Sequence, residues 1–198
     1  TRFLTAGGYV SSASNIIDYV EINTLGNALD FGDLIFSKYY PAGTSSPVRA
    51  VFAGGTTPGN TETMSFVKFA SKGNAVNFGE LSSGGGTIQS GGASDGVRGV
   101  LAGIYNPTAT YINNIEYLTI ASEGNTTHFG SLTVGRTASG SSGGTRGIFA
   151  GGSTGSNVNV IDFIQIATKG NAEDFGDISD TSSGMAGVSD AHGGLGGF

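Results

Sequence analysis

The sequence has no cysteine and no tryptophan, and only 4 prolines, among 198 residues. Without cysteine neither disulfides nor thiolate metal sites can form, and the redox compartment leaves no trace. Lysine and arginine are scarce, 9 against 15 acidic residues, for a net charge of −6. A nucleic-acid binder needs a basic stripe to neutralise phosphates, so no nucleic-acid partner is expected. Adhesion to anionic membranes is disfavoured for the same reason. No apolar run approaches the length of a membrane span, so no membrane insertion is expected, and the start shows no signal-peptide pattern. The chain opens on Thr1 rather than Met, as a processed product, a fragment or part of a longer product would.

Glycine is what the sequence has in excess: 36 residues, where an average composition holds roughly 7%. The glycines follow no three-residue period, which excludes collagen. With 37% hydrophobic residues, wholesale disorder is also excluded. Many glycines sit between short apolar runs, a pattern of short strands and tight turns.

One phrase organises the chain. Gly26-Asn27-Ala28-Leu29-Asp30-Phe31-Gly32-Asp33-Leu34 returns with variation at Gly73–Leu81, Gly124–Leu132 and Gly170–Ile178. The Gly-Asn steps fall at 26, 73, 124 and 170, a period of about 48 residues. Each unit opens on an arginine and a short apolar strand: Arg2-Phe3-Leu4-Thr5-Ala6, Arg49-Ala50-Val51-Phe52-Ala53, Arg98-Gly99-Val100-Leu101-Ala102 and Arg146-Gly147-Ile148-Phe149-Ala150. A second strand follows, as in Ile17-Asp18-Tyr19-Val20-Glu21-Ile22 and Ile161-Asp162-Phe163-Ile164-Gln165-Ile166. Apolar residues fall on both of its faces, which suits a strand packed between two neighbours rather than one with a wet face. A third strand carries Phe31, Phe78, Phe129 or Phe175. These rings are expected to be buried. A fourth, weak strand is expected in the Ser/Gly/Thr-rich stretch, such as Leu34–Tyr40 or Ser131–Ala138. The predicted units run over about 1–47, 48–96, 97–144 and 145–190, forming one repeat domain. The remainder, 191–198, brings His192 into the register of a fifth opening. It is expected to close the fold against the N-terminal strand.

The order of Gly-Gly strand, Tyr/Phe strand, aromatic, then Arg resembles kelch repeats. Phe replaces the kelch Trp, and Ile104 breaks the Gly pair of the third unit. The full phrase, as in Arg146-Gly147-Ile148-Phe149-Ala150-Gly151-Gly152, is more specifically similar to kelch-like repeats in structural proteins of tailed phages, notably those of cyanobacteria and marine bacteria. The resemblance implies an all-β, four-bladed kelch-like β-propeller; a parallel β-solenoid is the alternative repetitive, Gly-rich fold. For function it implies a non-enzymatic virion structural protein, on the tail or capsid surface. A tail-fibre or appendage domain engaging a host-surface glycan or protein is the leading reading. A capsid decoration protein without a receptor, or a free glycan-binding lectin, are the alternatives. Its partners would be other virion proteins, with a homo-oligomer also open.

No catalytic residue, cofactor site or metal site is expected. Two histidines, His128 and His192, are too few for a histidine metal cluster, and no nucleophile elbow or phosphate loop is present. The pairs Asp30/Asp33 and Asp174/Asp177 suit turn caps better than calcium, which needs six or more oxygens. The four repeated arginines are expected to tie strands through backbone carbonyls. Recognition falls instead to residues that do not repeat. The third unit is longer between Arg and Gly-Asn, 26 residues against 24, and its loop carries Tyr105 and Tyr111; the first unit has Tyr39 and Tyr40. These four tyrosines are the candidate ligand contacts, suited to a sugar or protein surface.

Overall fold

The structure is a computed structural model describing residues 1–57, 59, 61–83, 87–106 and 110–190. Among the described residues every regular element is a β-strand. Sheet 1 holds β1 (Arg2–Ala6), β2 (Ser14–Glu21) and β3 (Leu29–Lys38). Sheet 2 holds β4 (Ala42–Ser45), β5 (Arg49–Ala53), β6 (Thr63–Lys68) and β7 (Val76–Glu80). Sheet 3 holds β8 (Thr87–Ser94), β9 (Arg98–Tyr105), β10 (Tyr111–Ile112), β11 (Asn114–Thr119) and β12 (Thr127–Ser131). Sheet 4 holds β13 (Ser139–Ser142), β14 (Arg146–Ala150), β15 (Val160–Gln165) and β16 (Glu173–Asp177). All pairings between these strands are antiparallel, which rules out the parallel solenoid.

The Ser/Gly/Thr strand departs from its expected position. Leu34–Lys38 continues β3, and residues 132–138 form no strand. The strand lies later, at β4, β8 and β13, and pairs with the arginine strand that follows it (Ala42↔Ala53, Ser139↔Ala150). Sheets 2, 3 and 4 therefore begin before the repeat boundary. The cause is a tight hairpin before each arginine. Ser46 Oγ accepts the N–H groups of Val48 and Arg49 at 3.2 and 3.1 Å. Asp95 Oδ1 accepts those of Val97 and Arg98 at 2.9 and 2.6 Å. Short side-chain acceptors of this kind hold turns.

Each sheet also carries a β-bulge at the equivalent place in its second and third strands. Ile17 pairs with Gly32 but Asp18 pairs with Asp30, so Phe31 is the extra residue. Phe78, Phe129 and Phe175 are skipped in the same way. A bulge re-aims side chains, which is how one strand presents apolar residues to both faces. Each bulged Phe meets the ring of its own second strand edge-on, at centroid distances of 5.8–6.0 Å.

The core lies between consecutive sheets. Ile17, Phe31 and Leu34 of sheet 1 pack on Ala50, Phe52 and Val67 of sheet 2. Met64, Phe66 and Phe78 of sheet 2 meet Leu101, Leu118 and Ile120 of sheet 3. Val100, Ile115 and Phe129 of sheet 3 meet Phe149, Ile164 and Ile166 of sheet 4. Phe31, Phe78 and Phe129 are buried as expected, at 2–3% exposure. Phe175 is not: it is 55% exposed, because among the described residues no further sheet covers sheet 4. The far face of sheet 1 is likewise uncovered, with Phe3 and Ile22 exposed.

Candidate functional site

The repeated polar residues belong to the junctions between sheets. The second, third and fourth Gly-Asn steps each dock on the Phe-Gly of the preceding sheet. Asn74, Asn125 and Asn171 accept the N–H groups of Asp33, Glu80 and Ser131 at 3.1, 3.0 and 3.1 Å. The N–H groups of Gly73, Gly124 and Gly170 donate to the carbonyls of Phe31, Phe78 and Phe129. The approach is so close that a Cβ on Gly79 would lie 2.2 Å from the Gly124 carbonyl. This is why glycine follows Phe31, Phe78 and Phe129.

Three of the four repeated arginines act as expected. Arg2, Arg49 and Arg98 each donate to a carbonyl of the next sheet, from Phe69, Ile120 and Ile166, at 2.5, 3.4 and 2.6 Å. Each guanidinium also lies over the ring of its own second strand, 4.5–5.1 Å from Tyr19, Phe66 and Tyr117. Several side-chain oxygens are engaged in the same way. Asp174 Oδ1 and Asn77 Oδ1 cap the N–H groups of Gly176 and Gly79. Glu116, buried, accepts the Ser82 N–H at 3.1 Å and the Thr126 hydroxyl. Among the described residues no three His, Asp or Glu side chains converge as a metal site would need. His192 and the tail 191–198 lie outside the described residues.

Two buried cations do not follow from the motifs above. Arg136 is fully buried and bonds Asp162 at 2.8 Å, with further donors to the Gly151 and Phe149 carbonyls at 2.9 and 3.0 Å. Lys38 is buried as well, and its Nζ donates to the Thr63 carbonyl at 3.1 Å. Burial pushes the Lys38 amine down to about 8 from 10.5. Both cations stand seven residues after a bulged Phe (31 to 38, 129 to 136), a coincidence visible in the sequence.

The tyrosines fall into two groups. Tyr39 and Tyr40 meet edge-on at 5.0 Å. Tyr9, absent from the expected set, joins them at 5.2 Å from Tyr39. Tyr9 and Tyr40 are exposed at 65% and 56%. The loop holding the pair is strained and braced. Tyr40 has φ of 56°, the left-handed region, although it precedes a proline. Tyr39 and Thr56 exchange both backbone hydrogen bonds, at 2.9 and 2.8 Å. Gly55 passes so close that a Cβ there would lie 3.0 Å from the Tyr39 carbonyl. Non-glycine residues persist in such conformations when the surroundings over-determine them, often where a ligand is held.

Tyr105 and Tyr111 are register partners of β9 and β10, with rings 4.9 Å apart and tilted by 53°. Tyr9 follows the arginine strand β1, Tyr105 ends the arginine strand β9, and Tyr39 and Tyr40 lie between β3 and β4, with Tyr39 bridged to Thr56 after the arginine strand β5. Flat, half-exposed rings with hydroxyls at their edges can stack on the apolar face of a sugar or grip a protein loop. No protein-family model matches the chain, and no curated protein matches it.

The cavities lie elsewhere. One of about 550 Å³ opens between β13, β14 and the following segment, lined by Ile148, Ala150, Ile178, Met185 and their neighbours. It marks the uncovered face of sheet 4. A second, of about 280 Å³, is an open groove along the Gly/Ser strands of sheets 2, 3 and 4 with Val188 and Ser189. Hydroxyls there are tied to backbone, as with Ser94 Oγ donating to the Ser45 carbonyl at 2.8 Å.

Proposed function

We propose that the four sheets are kelch-like propeller blades, four per chain, with the Gly/Ser strands innermost. The protein is a non-enzymatic structural component of a tailed-phage virion, in a tail fibre or appendage, that engages a host-surface glycan or protein. One observation carries this reading: polar residues of the repeat hold sheet to sheet at the three junctions, while Tyr9, Tyr39 and Tyr40 form a partly exposed aromatic cluster on a braced loop. Gly43, Gly92, Gly140 and Gly187 support the blade reading. Added Cβ atoms on Gly92, Gly140 and Gly187 would meet the preceding strand at 2.1, 2.7 and 3.1 Å, a crowding expected near a common axis.

A two-part experiment tests the reading. Purified particles of the source phage are probed for the protein, and the isolated chain is tested on a glycan array and on host cells. A particle-borne chain whose cell binding falls at least tenfold in a Tyr9/Tyr39/Tyr40→Ser variant, about 1.4 kcal/mol, fits the proposal. A particle-borne chain that binds neither cells nor glycans is decoration instead. A chain absent from particles that binds glycans is a lectin.

A further inference from the structure

We propose that the two end faces of the stack are complementary halves of one interface, and that they dock a second copy of this chain head to tail. The inference rests on the contacts that recur between sheets, and not on the virion reading.

The three internal junctions share one contact set, and each end face carries one half of it. On sheet 4 the Phe-Gly half is open. Phe175 is 55% exposed, and nothing lies within 4 Å of a Cβ placed on Gly176. Arg146 keeps its ring contact, 4.9 Å from Phe163. Among the described residues, no following sheet offers it a carbonyl. On sheet 1 the opposite half is open. Gly26 and Asn27 are exposed, and so is Ile22, at 59%. By the register of the internal junctions, Asn27 of one copy meets the Asp177 N–H of the other. Arg146 meets the Ile22 carbonyl.

The side chains that depart from the repeat match one another as well. One step before Gly-Asn, Lys72 lies over Tyr19 and Lys169 over Tyr117, at 4.4 and 4.7 Å. The first unit has Leu25 at that step, fully exposed. The ring it would cover is Phe163, which has no hydroxyl. An apolar residue thus faces an apolar ring at the junction that stays open among the described residues.

The inner strand points the same way. Ala186-Gly187-Val188-Ser189 follows the pattern of Ala42-Gly43-Thr44-Ser45. It already sits on β13 as β8 sits on β4. Ser189 Oγ donates to the Ser142 carbonyl at 2.6 Å, the counterpart of Ser94 Oγ to Ser45 at 2.8 Å. In sheets 2, 3 and 4 such a strand pairs with the arginine strand. Sheet 1 has three strands, and the corresponding edge of β1 is open among the described residues. The segment 186–189 of one copy therefore completes sheet 1 of the next, by strand addition. Among the described residues the two end faces do not cover each other, since both are exposed. A contact of this kind is heterologous: repeated, it closes a ring or extends a filament.

The test uses the full 198-residue chain with two single variants, Ile22→Glu on one end and Phe175→Glu on the other. Circular dichroism and melting check that both remain folded, and Leu25→Glu replaces Ile22→Glu if that variant does not fold. Sedimentation velocity over a micromolar to sub-millimolar series should show the parent chain assembling. Each variant alone should assemble at least about tenfold more weakly. Mixed together, the variants should form a 1:1 dimer, because each retains the end the other lacks. A monomeric parent chain overturns the proposal, including one whose ends meet within a single chain. Variants that assemble like the parent, or folded variants that fail to recombine when mixed, overturn it too.

Discussion

Phe129 and Phe175 stand in nearly the same words, His128-Phe129-Gly130-Ser131 and Asp174-Phe175-Gly176-Asp177. Both are the extra residue of a bulge, and both meet an aromatic ring of the neighbouring strand at 6.0 Å. One is 3% exposed and the other 55%. The repeat therefore writes the conformation of the sheet and one half of a junction. The next sheet supplies the other half. Local structure is the same at the two sites, and the energetics are not.

Mutations at equivalent positions should break that equivalence, most strongly where charge is buried. Asp162 and Asp18 occupy the same repeat position. Asp162→Ala strands the guanidinium of Arg136, both groups being fully buried, and should cost about 3–5 kcal/mol in denaturant unfolding. Asp18→Ala, on the end face, should stay within about 0.5 kcal/mol. Equal costs would mean that the two faces are equally covered. The rings come next: Phe129→Ala should cost about 3–5 kcal/mol and Phe175→Ala about 1 kcal/mol or less in dilute solution.

The junction between sheets 1 and 2 differs from that between sheets 3 and 4 in having Lys38 where the other has Arg136. Burial holds the Lys38 amine at about 8 in the folded chain, against 10.5 ordinarily. Between these values the unfolded chain keeps a proton that the folded chain has lost, so stability rises with pH across that window. Below pH 8 both states are protonated and the cost of the buried charge is present in full. The gain from pH 8 to above 10 should be at most about 3 kcal/mol, and Lys38→Met should flatten it. A parent chain whose stability is level over this range would place the amine in water.

The smallest expected difference separates crowding from conformation. Gly79 and Gly176 both have left-handed φ, +145° and +137°, but only Gly79 faces the next sheet. Alanine at either site carries the same conformational cost. Gly79→Ala should lose about 1–3 kcal/mol more, from the collision with Gly124. Equal losses would remove close approach as the reason for this glycine.

Much of this was legible in the sequence. The period, the all-β class, the burial of Phe31, Phe78 and Phe129 and the carbonyl-seeking arginines all follow from residues that recur. What recurrence could not show is what sits beyond the last copy, and so Phe175 was expected to be buried. The Gly/Ser strand was misplaced because glycine and serine carry little strand signal. The hairpin caps of Ser46 and Asp95, rather than side-chain alternation, decide where it pairs. At the candidate site Tyr39 with Tyr40 and Tyr105 with Tyr111 do meet. Tyr9 was missed because it lies thirty residues from Tyr39 and is brought there by the loop after β1.

The central claim is that three junctions repeat and the two ends stay open within one chain. Amide hydrogen exchange on the dilute chain reads it at four equivalent glycines. The Gly73, Gly124 and Gly170 N–H groups each donate across a junction, at 2.8, 2.6 and 3.1 Å, while Gly26 belongs to the uncovered face of sheet 1. The first three should exchange slowly, near the rate set by global unfolding, and Gly26 should exchange at the rate of an exposed loop. A Gly26 amide as slow as the other three in a monodisperse monomer would show the ends joined within one chain and would contradict the open stack.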